Sequence, residues 1–333
     1  MSSINTNPSA MTALQALAAT NRNLAVVQQR ISTGYRVAEA KDNAAYWSIA
    51  TTMRSDNKVL STVQDTLGLG ASRVDTAYTA VDSIIDIVDE IKQKVLAAIG
   101  ASEGNKIKIQ AEIDGFQDLL SSVAQAATFS GQNWLSVDSS IANGHPAAGN
   151  HKKTEIVASF TRTNSGAIVL GKINVDINSI KLYDAAATTN ETKGVLEGLR
   201  LGTTGARANG AVIPTAGAAI AATDGYSVST LNIVDYSDEQ LKQMLTVVDQ
   251  TLADLADVAT FIGATKKRID MQKDFASNLM DSIDRGVGQL VDADMEEEST
   301  RLQALQVQQQ LGIQALSIAN SSSQNILTLF RGG

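Results

Sequence analysis

Side chains that could do chemistry are few in these 333 residues and poorly placed for it. There are two histidines and no cysteine, which excludes disulfides, thiol chemistry and cysteine zinc sites. His145 and His151 lie in the Gly/Asn/Pro-rich run NGHPAAGNHKK. A metal pair needs a fixed spacing on a helix or strand and further ligands. No third ligand stands nearby, so these read as loop histidines. The densest carboxylate group is Asp292, Asp294, Glu296, Glu297 and Glu298. It lacks the glycine and oxygen-ligand spacing of a calcium loop, and reads as a solvated face or a charge partner for another subunit. No G-x-S-x-G, H-E-x-x-H or phosphate-binding glycine loop is present. Gly68-Leu69-Gly70 falls inside a helical repeat and reads as close helix approach. With no convergent polar set, no catalytic, cofactor-binding or metal-binding residue is assigned.

What the chain does carry is periodicity. Every seventh residue from 53 to 95 is apolar: Met53, Leu60, Leu67, Val74, Val81, Val88, Val95. The same holds from 241 to 290, through Leu241, Val248, Leu255, Ile262, Ile269, Ala276, Ile283 and Leu290. A seven-residue repeat of this length needs partner helices to cover its seam and imposes a left-handed supercoil. At 1.5 Å per residue the runs span about 63 and 75 Å, a rod of matched helices rather than the frame of a compact active site. The companion row is weaker: Asp56, Val63, Gly70, Ala77, Ile84, Ile91, Ala98 in the first run, and Leu245, Leu252, Ala259, Lys266, Lys273, Met280, Val287 in the second. It reads as a looser flank, where neighbouring subunits slide and lock.

Composition sets the bounds. The chain is 44% hydrophobic but 4% aromatic, so small aliphatic side chains must do most of the packing. A net charge of −8 argues against nucleic acid, because phosphate neutralisation needs a basic face. No run of 18 apolar residues offers a membrane span, and the opening MSSINTNPSAMTALQ has neither the basic start nor the apolar core of a secretory signal.

In chain order, Asn7 and Pro8 suit the start of a first helix, with a stripe of Leu14, Leu17, Leu24 and Ile31 and a stop at Gly34. Residues 35–52 form a connector in which Trp47 anchors packing. The first heptad run follows, then a helix over 107–127 and the turn FSGQNWL. At about 136 the composition shifts: residues 136–235 hold 11 of the 24 glycines and strand-like runs at 155–161, 167–170 and 173–177, with a hairpin signal at Thr163-Asn164-Ser165-Gly166. Residues 235–237 cap the returning helix. A last helix covers 300–318, with Leu302, Leu305 and Leu316 on one side and Val307, Leu311 and Ile318 on the other. The tail NILTLFRGG adds Leu327 and Phe330. The terminal helices are apolar on one face and sparsely charged, so they should order on association rather than alone.

The expected fold is mainly α: a long antiparallel helical coiled-coil hairpin built from both chain ends, with a small β-rich central insert. Its seam is Leu60, Leu67, Val74, Val81 and Val88 against Leu241, Val248, Leu255, Ile262, Ile269 and Ile283.

Several segments also resemble bacterial flagellin. They are SINTNPSAMTALQAL at the start, QQRISTGYRVAEAKDNAAYWSIA over 28–50, FSGQNWL, DADMEEES, and the ending QNILTLFRGG. The resemblance covers about 1–135 and 236–333. It implies a structural subunit that self-assembles into the helical filament of the bacterial flagellum, used for motility and not an enzyme. The alternative is a hook-associated junction protein of the same axial structure. Residues 1–40 and 291–333 would form an inner assembly domain, 41–135 and 236–290 the coiled-coil domain, and 136–235 a variable surface domain. The inner-tube stripe would be Leu14, Leu17, Leu24, Ile31, Leu302, Leu305, Leu311, Leu316, Leu327 and Phe330. The matched motif residues are Gln29, Arg30, Ser32, Gly34, Lys41, Asp42, Asn133, Asp292 and Asp294. The implied partners are other flagellin subunits in a homo-polymer, an export chaperone, the flagellar export apparatus, and cap and hook-junction proteins, without nucleic acid or membrane. Localisation would be extracellular, by export without a cleaved signal peptide. Host immune receptors are further implied partners, bound weakly: the plant-receptor segment 29–50 departs from the family pattern at Val37 to Glu39, Asn43, Tyr46 and Trp47, and the animal-receptor segment IKQKVLAAI lacks the family's Arg and Glu contacts.

Overall fold

The computed structural model describes residues 7–139, 153–163, 166–187 and 189–331, with backbone alone at 153 and 322–331. His145, His151, Asn164 and Ser165 lie outside the described residues. Five helices dominate: α1 Pro8–Thr33, α2 Ala44–Ala98, α3 Glu103–Ala126, α4 Asp238–Val291 and α5 Met295–Arg331. The strands are β1 Thr128–Phe129, β2 Gln132–Asn133, β3 Ser136–Val137, β4 Lys153–Arg162, β5 Ile168–Asp176, β6 Tyr183–Asp184, β7 Arg200–Leu201 and β8 Gly225–Tyr226. Among the described residues they form two-stranded sheets, antiparallel except for β3 with β6. The chain divides into two compact units, Met1–Val59 with Leu279–Gly333, and Leu60–Asn278.

The helix boundaries differ from the sequence reading where capping chemistry was underweighted. α2 starts at Ala44 because the Asn43 side chain accepts from the Tyr46 N–H, and Trp47 on its first turn is 39% exposed rather than a packing anchor. α5 starts at Met295, five residues before the expected 300, since its first turn takes Glu296, Glu297 and Glu298. There the helix dipole favours carboxylates.

In the unit spanning 60–278, α2 and α4 run antiparallel with a fixed register. Lys92 pairs with Asp249 and Asp75 with Lys266, positions 17 residues apart on each helix. The row Leu60, Leu67, Val74, Val81 and Val88 is at most 4% exposed, and so is Leu241, Val248, Leu255, Ile262 and Ile269. Each such side chain contributes about 1.5–3 kcal/mol by leaving water. On α2 the companion row is not open to neighbours as expected, while on α4 Leu245, Leu252, Ala259 and Lys266 are half-buried and Lys273 is exposed. Val63, Ala77, Ile84, Ile91 and Ala98 are also buried, and a Cβ on Gly70 would stand 2.7 Å from Ile156 Cγ2 of β4. Glycine there lets the insert close onto α2. α3 adds Ile113, Leu120 and Ala124 to the buried set, and Lys94 ties α2 to Glu112 of α3. The subunit therefore covers both rows of α2 with its own chain.

β4 and β5 form one hairpin with an irregularity between Val157 and Ser159. The separate runs expected at 167–170 and 173–177 join in β5, up to the short 3₁₀ turn Ile177–Ser179. Beyond β6 the insert is mostly loop, fastened by buried polar groups. Asp184 is one: its carboxylate takes the Lys181 Nζ at 2.6 Å and the Ser139 N–H at 2.9 Å. Burial alone would raise its pKa, but the lysine and the backbone donor outweigh burial and hold it below the usual carboxylate value. A carboxylate depressed in the folded state gives stability that is present above its unfolded pKa, about 3.9, and lost as pH falls through the folded value. The wild-type chain should lose stability in urea denaturation below about pH 4, and Asp184→Asn should be weaker at neutral pH with a flatter acid limb. An unchanged acid limb would remove Asp184 from this account.

Candidate functional site

The terminal helices pair within the unit formed by 1–59 and 279–333. The Asn7 carboxamide accepts from the Ala10 N–H and starts α1, and its Nδ2 donates to the Ala319 carbonyl at 2.9 Å. Leu17 lies against Gly312, and Gln309 Nε2 donates to Asn21 Oδ1 at 2.8 Å. At the far end Arg30 meets Glu298 at 2.9 Å. The contacts step down one helix as they step up the other, so α1 and α5 are antiparallel along most of their length.

A two-helix pair has one seam and can cover one stripe per helix. Val27 and Leu305 are buried there, and Leu17, Leu24, Ile31, Leu302 and Leu316 are half-buried. The other rows stay in water. Met11, Leu14 and Val26 on α1 are 64%, 57% and 46% exposed, and Val307, Leu311, Ile313 and Ile318 on α5 are 54–69% exposed. The expected assembly stripe thus splits, with Leu14 and Leu311 on the open face and Leu17, Leu24, Ile31, Leu302, Leu305 and Leu316 at the seam. Leu327 and Phe330 fall on α5, with side chains outside the described residues. Exposed apolar rows this long are typical of surfaces that bind protein or membrane. Among the described residues no helix is long and apolar enough to cross a membrane.

The motif residues gather where α1 hands over to α2 and α4 to α5. α1 stops at Gly34 because this residue has φ 74°, which costs a residue with a Cβ roughly 1–2 kcal/mol. The chain then crosses the second connector: Gly34 O accepts from Ala293 N, and Val291 O accepts from Arg36 N and Val37 N. Tyr35 and Asp292 face each other in this bridge, and the Arg54 guanidinium sits 4.7 Å from the centre of the Tyr35 ring. Arg36 Nη2 donates to the Gln289 and Leu290 carbonyls, placing a cation on the negative end of α4. Asp42 accepts from the Ala38 and Glu39 N–H groups and closes the loop. Asp294 accepts from Glu296 N and Glu297 N and caps α5. Val37, Ala50, Val287 and Val291 form the core beneath, with Met53, Ile283 and Leu290 packed against it. Lys41 pairs with Glu39 at the surface, and Gln29 and Ser32 are exposed. Asn133 lies elsewhere, at the end of α3. Its amide donates to the Ala124 and Gln125 carbonyls and its oxygen accepts from Leu135 N and Ser136 N, so one side chain ends a helix and shapes the turn after it.

Two residues escaped the sequence reading. In sequence Arg36 is one residue of the connector 35–52, with nothing to mark its hold on the end of α4. The acidic cluster reads as a solvated face or a charge partner for another subunit, yet Glu298 is 5% exposed and paired with Arg30 of its own chain. A signal existed for it: Glu298 is the one acidic residue of the cluster that falls on the side of α5 shared with Leu302 and Leu305.

The sequence also matches known proteins. Residues 4–139 match the family model described as the bacterial flagellin N-terminal helical region, and 245–330 the C-terminal helical region. The chain is 50% identical to flagellin C of Rhizobium meliloti (strain 1021) over 337 aligned positions, covering 99% of this chain and all of the relative. It is 45% identical to a flagellin of Brucella melitensis biotype 1 with full coverage of both, and 41% identical to flagellin B of Rhizobium meliloti over 99% of this chain and all of the relative.

Proposed function

The chain belongs to the bacterial flagellin family, and from that premise we propose how its surfaces divide the work of building a filament. The protein is a structural subunit of the flagellar filament, secreted and extracellular, and not an enzyme. The observation that carries the division of labour is the open apolar row on each terminal helix beside a seam that is already closed. Residues 1–40 and 291–333 form the innermost layer, where Met11, Leu14 and Val26 of one subunit and Val307, Leu311 and Ile318 of its neighbours cover one another. Residues 41–135 and 236–290 form the rod outside it, and 136–235 face solvent. Subunits reach the tip unfolded through the flagellar export apparatus, escorted by a chaperone and placed under a cap protein beyond the hook junction. The lack of cysteine suits that route, since no crosslink can form on the way.

Removing residues 321–333 tests the inner layer. The truncated protein should form no filaments by negative-stain microscopy while the helical signal of the rod survives in circular dichroism. Straight, stable filaments from the truncated chain would place the tail elsewhere.

Immune recognition follows the same sequence departures. Tyr46 and Trp47 are 42% and 39% exposed, and so would meet a receptor directly with bulky rings where the family pattern has small and aliphatic residues. A synthetic peptide of residues 29–50 should elicit a weak response from plant cells; a full-strength response would refute this.

A further inference from the structure

Within the unit 60–278 the charge is not evenly spread. Residues 238–257 of α4 carry five carboxylates against Lys242, a net charge of −4, whereas residues 264–273 carry four cations against Asp270, a net charge of +3. Internal pairs absorb much of this: Asp249 with Lys92, Asp254 with Arg200, Glu239 with Lys242, and Lys266 with Asp75. Outside these pairs Asp238 and Asp257 on the acidic segment and Lys267, Arg268 and Lys273 on the basic one are exposed.

Each charged end also has a surface feature: an exposed apolar loop at the acidic end and a cleft of mixed polar and apolar lining at the basic end. At the acidic end the loop 212–222, VIPTAGAAIAA, holds no charged residue. Val212, Ile213 and Ile220 are 62%, 58% and 45% exposed. The loop is nonetheless tied down: Tyr236 Oη donates to Pro214 O at 3.0 Å, Gln240 Nε2 to Thr215 O at 3.1 Å, and Gly217 N to Gln240 Oε1 at 3.1 Å. It is an ordered apolar knob. At the basic end a cleft of about 350 Å³ opens between the β4–β5 hairpin and α4, where Ser159, Lys172, Arg268 and Gln272 stand beside Ala158, Ile173 and Met271. Met271 at its rim is 54% exposed.

Gln240, which holds the knob, and Met271, at the cleft, are 31 residues apart on one helix, roughly 46 Å at 1.5 Å per residue. A subunit therefore cannot fill its own cleft with its own knob. A second copy can, and a contact between two different patches of the same chain repeats head to tail without closing. We propose that the 212–222 loop of one subunit docks into the cleft between the hairpin and α4 of a second copy, acidic end against basic end. Charge complementarity of this kind fixes register and disfavours the reversed approach. The inference rests on the filament reading above and adds to it a contact along the row of subunits, outside the terminal helices.

The absence of native cysteine permits a direct test in the full-length chain. Filaments are grown from an equimolar mixture of Ile213→Cys and Met271→Cys subunits and treated with a short bismaleimide. The mixture should yield crosslinked dimers, and the double variant a ladder of multimers. Ala219→Cys with Gln272→Cys gives the same readout if the first pair slows assembly. Intact filaments that give no dimer with either pair overturn the proposal; failure of the unmodified chain to form filaments would count against the filament reading instead. In parallel, Arg268→Glu should raise the critical concentration about tenfold, because like charges then face each other across the contact, and less so at high salt. No change at low salt would count against the proposal.

Discussion

A Leu311→Asp subunit is expected to fold as the parent does and to form no filaments. Leu311 is 58% exposed on α5, so an aspartate there is hydrated in the free subunit and removes nothing from the seam with α1. On the proposed reading a neighbour covers the same position in the filament, and an unpaired carboxylate must then be stripped of water. That costs several kcal/mol even where partial compensation occurs, and every 1.4 kcal/mol is a factor of ten in association. The critical concentration should therefore rise by about a hundredfold or more, with circular dichroism and urea midpoint unchanged. Leu305→Asp is the contrast: Leu305 is 8% exposed, so that variant should lose stability as well as assembly. If Leu311→Asp polymerises at the parental concentration, the open row of α5 does not face a neighbour.

The second large effect is expected within the unit 60–278. Asp254→Ala should destabilise the unit 60–278 by about 3–5 kcal/mol, the usual result of leaving one member of a buried pair alone. Arg200 is 2% exposed. Its guanidinium donates to Asp254 Oδ2 at 2.7 Å and to the Val195 and Gly205 carbonyls, while its Nε has no partner among the described residues. Burial lowers the Arg200 pKa and Asp254 pulls it back up; the group stays charged, because arginine does not titrate in this range. The double variant Arg200→Met with Asp254→Leu removes both charges together and should recover most of the loss. Equal losses in the single and double variants would show that packing, and not the charge, matters at this site.

The rod was legible because it obeys a simple rule. A heptad of Leu, Val and Ile repeated six or more times has one efficient solution, and Leu67, Val81 and Leu255 are buried as that rule requires. The first turn of α1 was legible for a similar local reason, since Asn7 and Pro8 act within three residues of one another. The α2 half of the companion row differs from expectation because its cover comes from far away: nothing near Gly70 in sequence announces that Ile156 will fill its notch. Arg200 was invisible for the same cause. In a stretch of alanine, glycine and threonine it looks like a stray surface charge, and its partner lies 54 residues on, across the whole return of the chain. Glu298 shows the intermediate case. Its neighbours Glu296 and Glu297 are solvated, and only its angular position on α5 sets it apart.

The open rows of α1 and α5 have a kinetic consequence. One neighbour can cover one of them; covering both takes at least two neighbours at once. Two free subunits meeting in solution therefore gain little and part again, while a subunit arriving at an existing end finds both rows met. Spontaneous nucleation is disfavoured and tip growth is favoured. A solution of this protein should show a lag that preformed fragments abolish, and the number of filaments should follow the number of seeds rather than the supply of subunits.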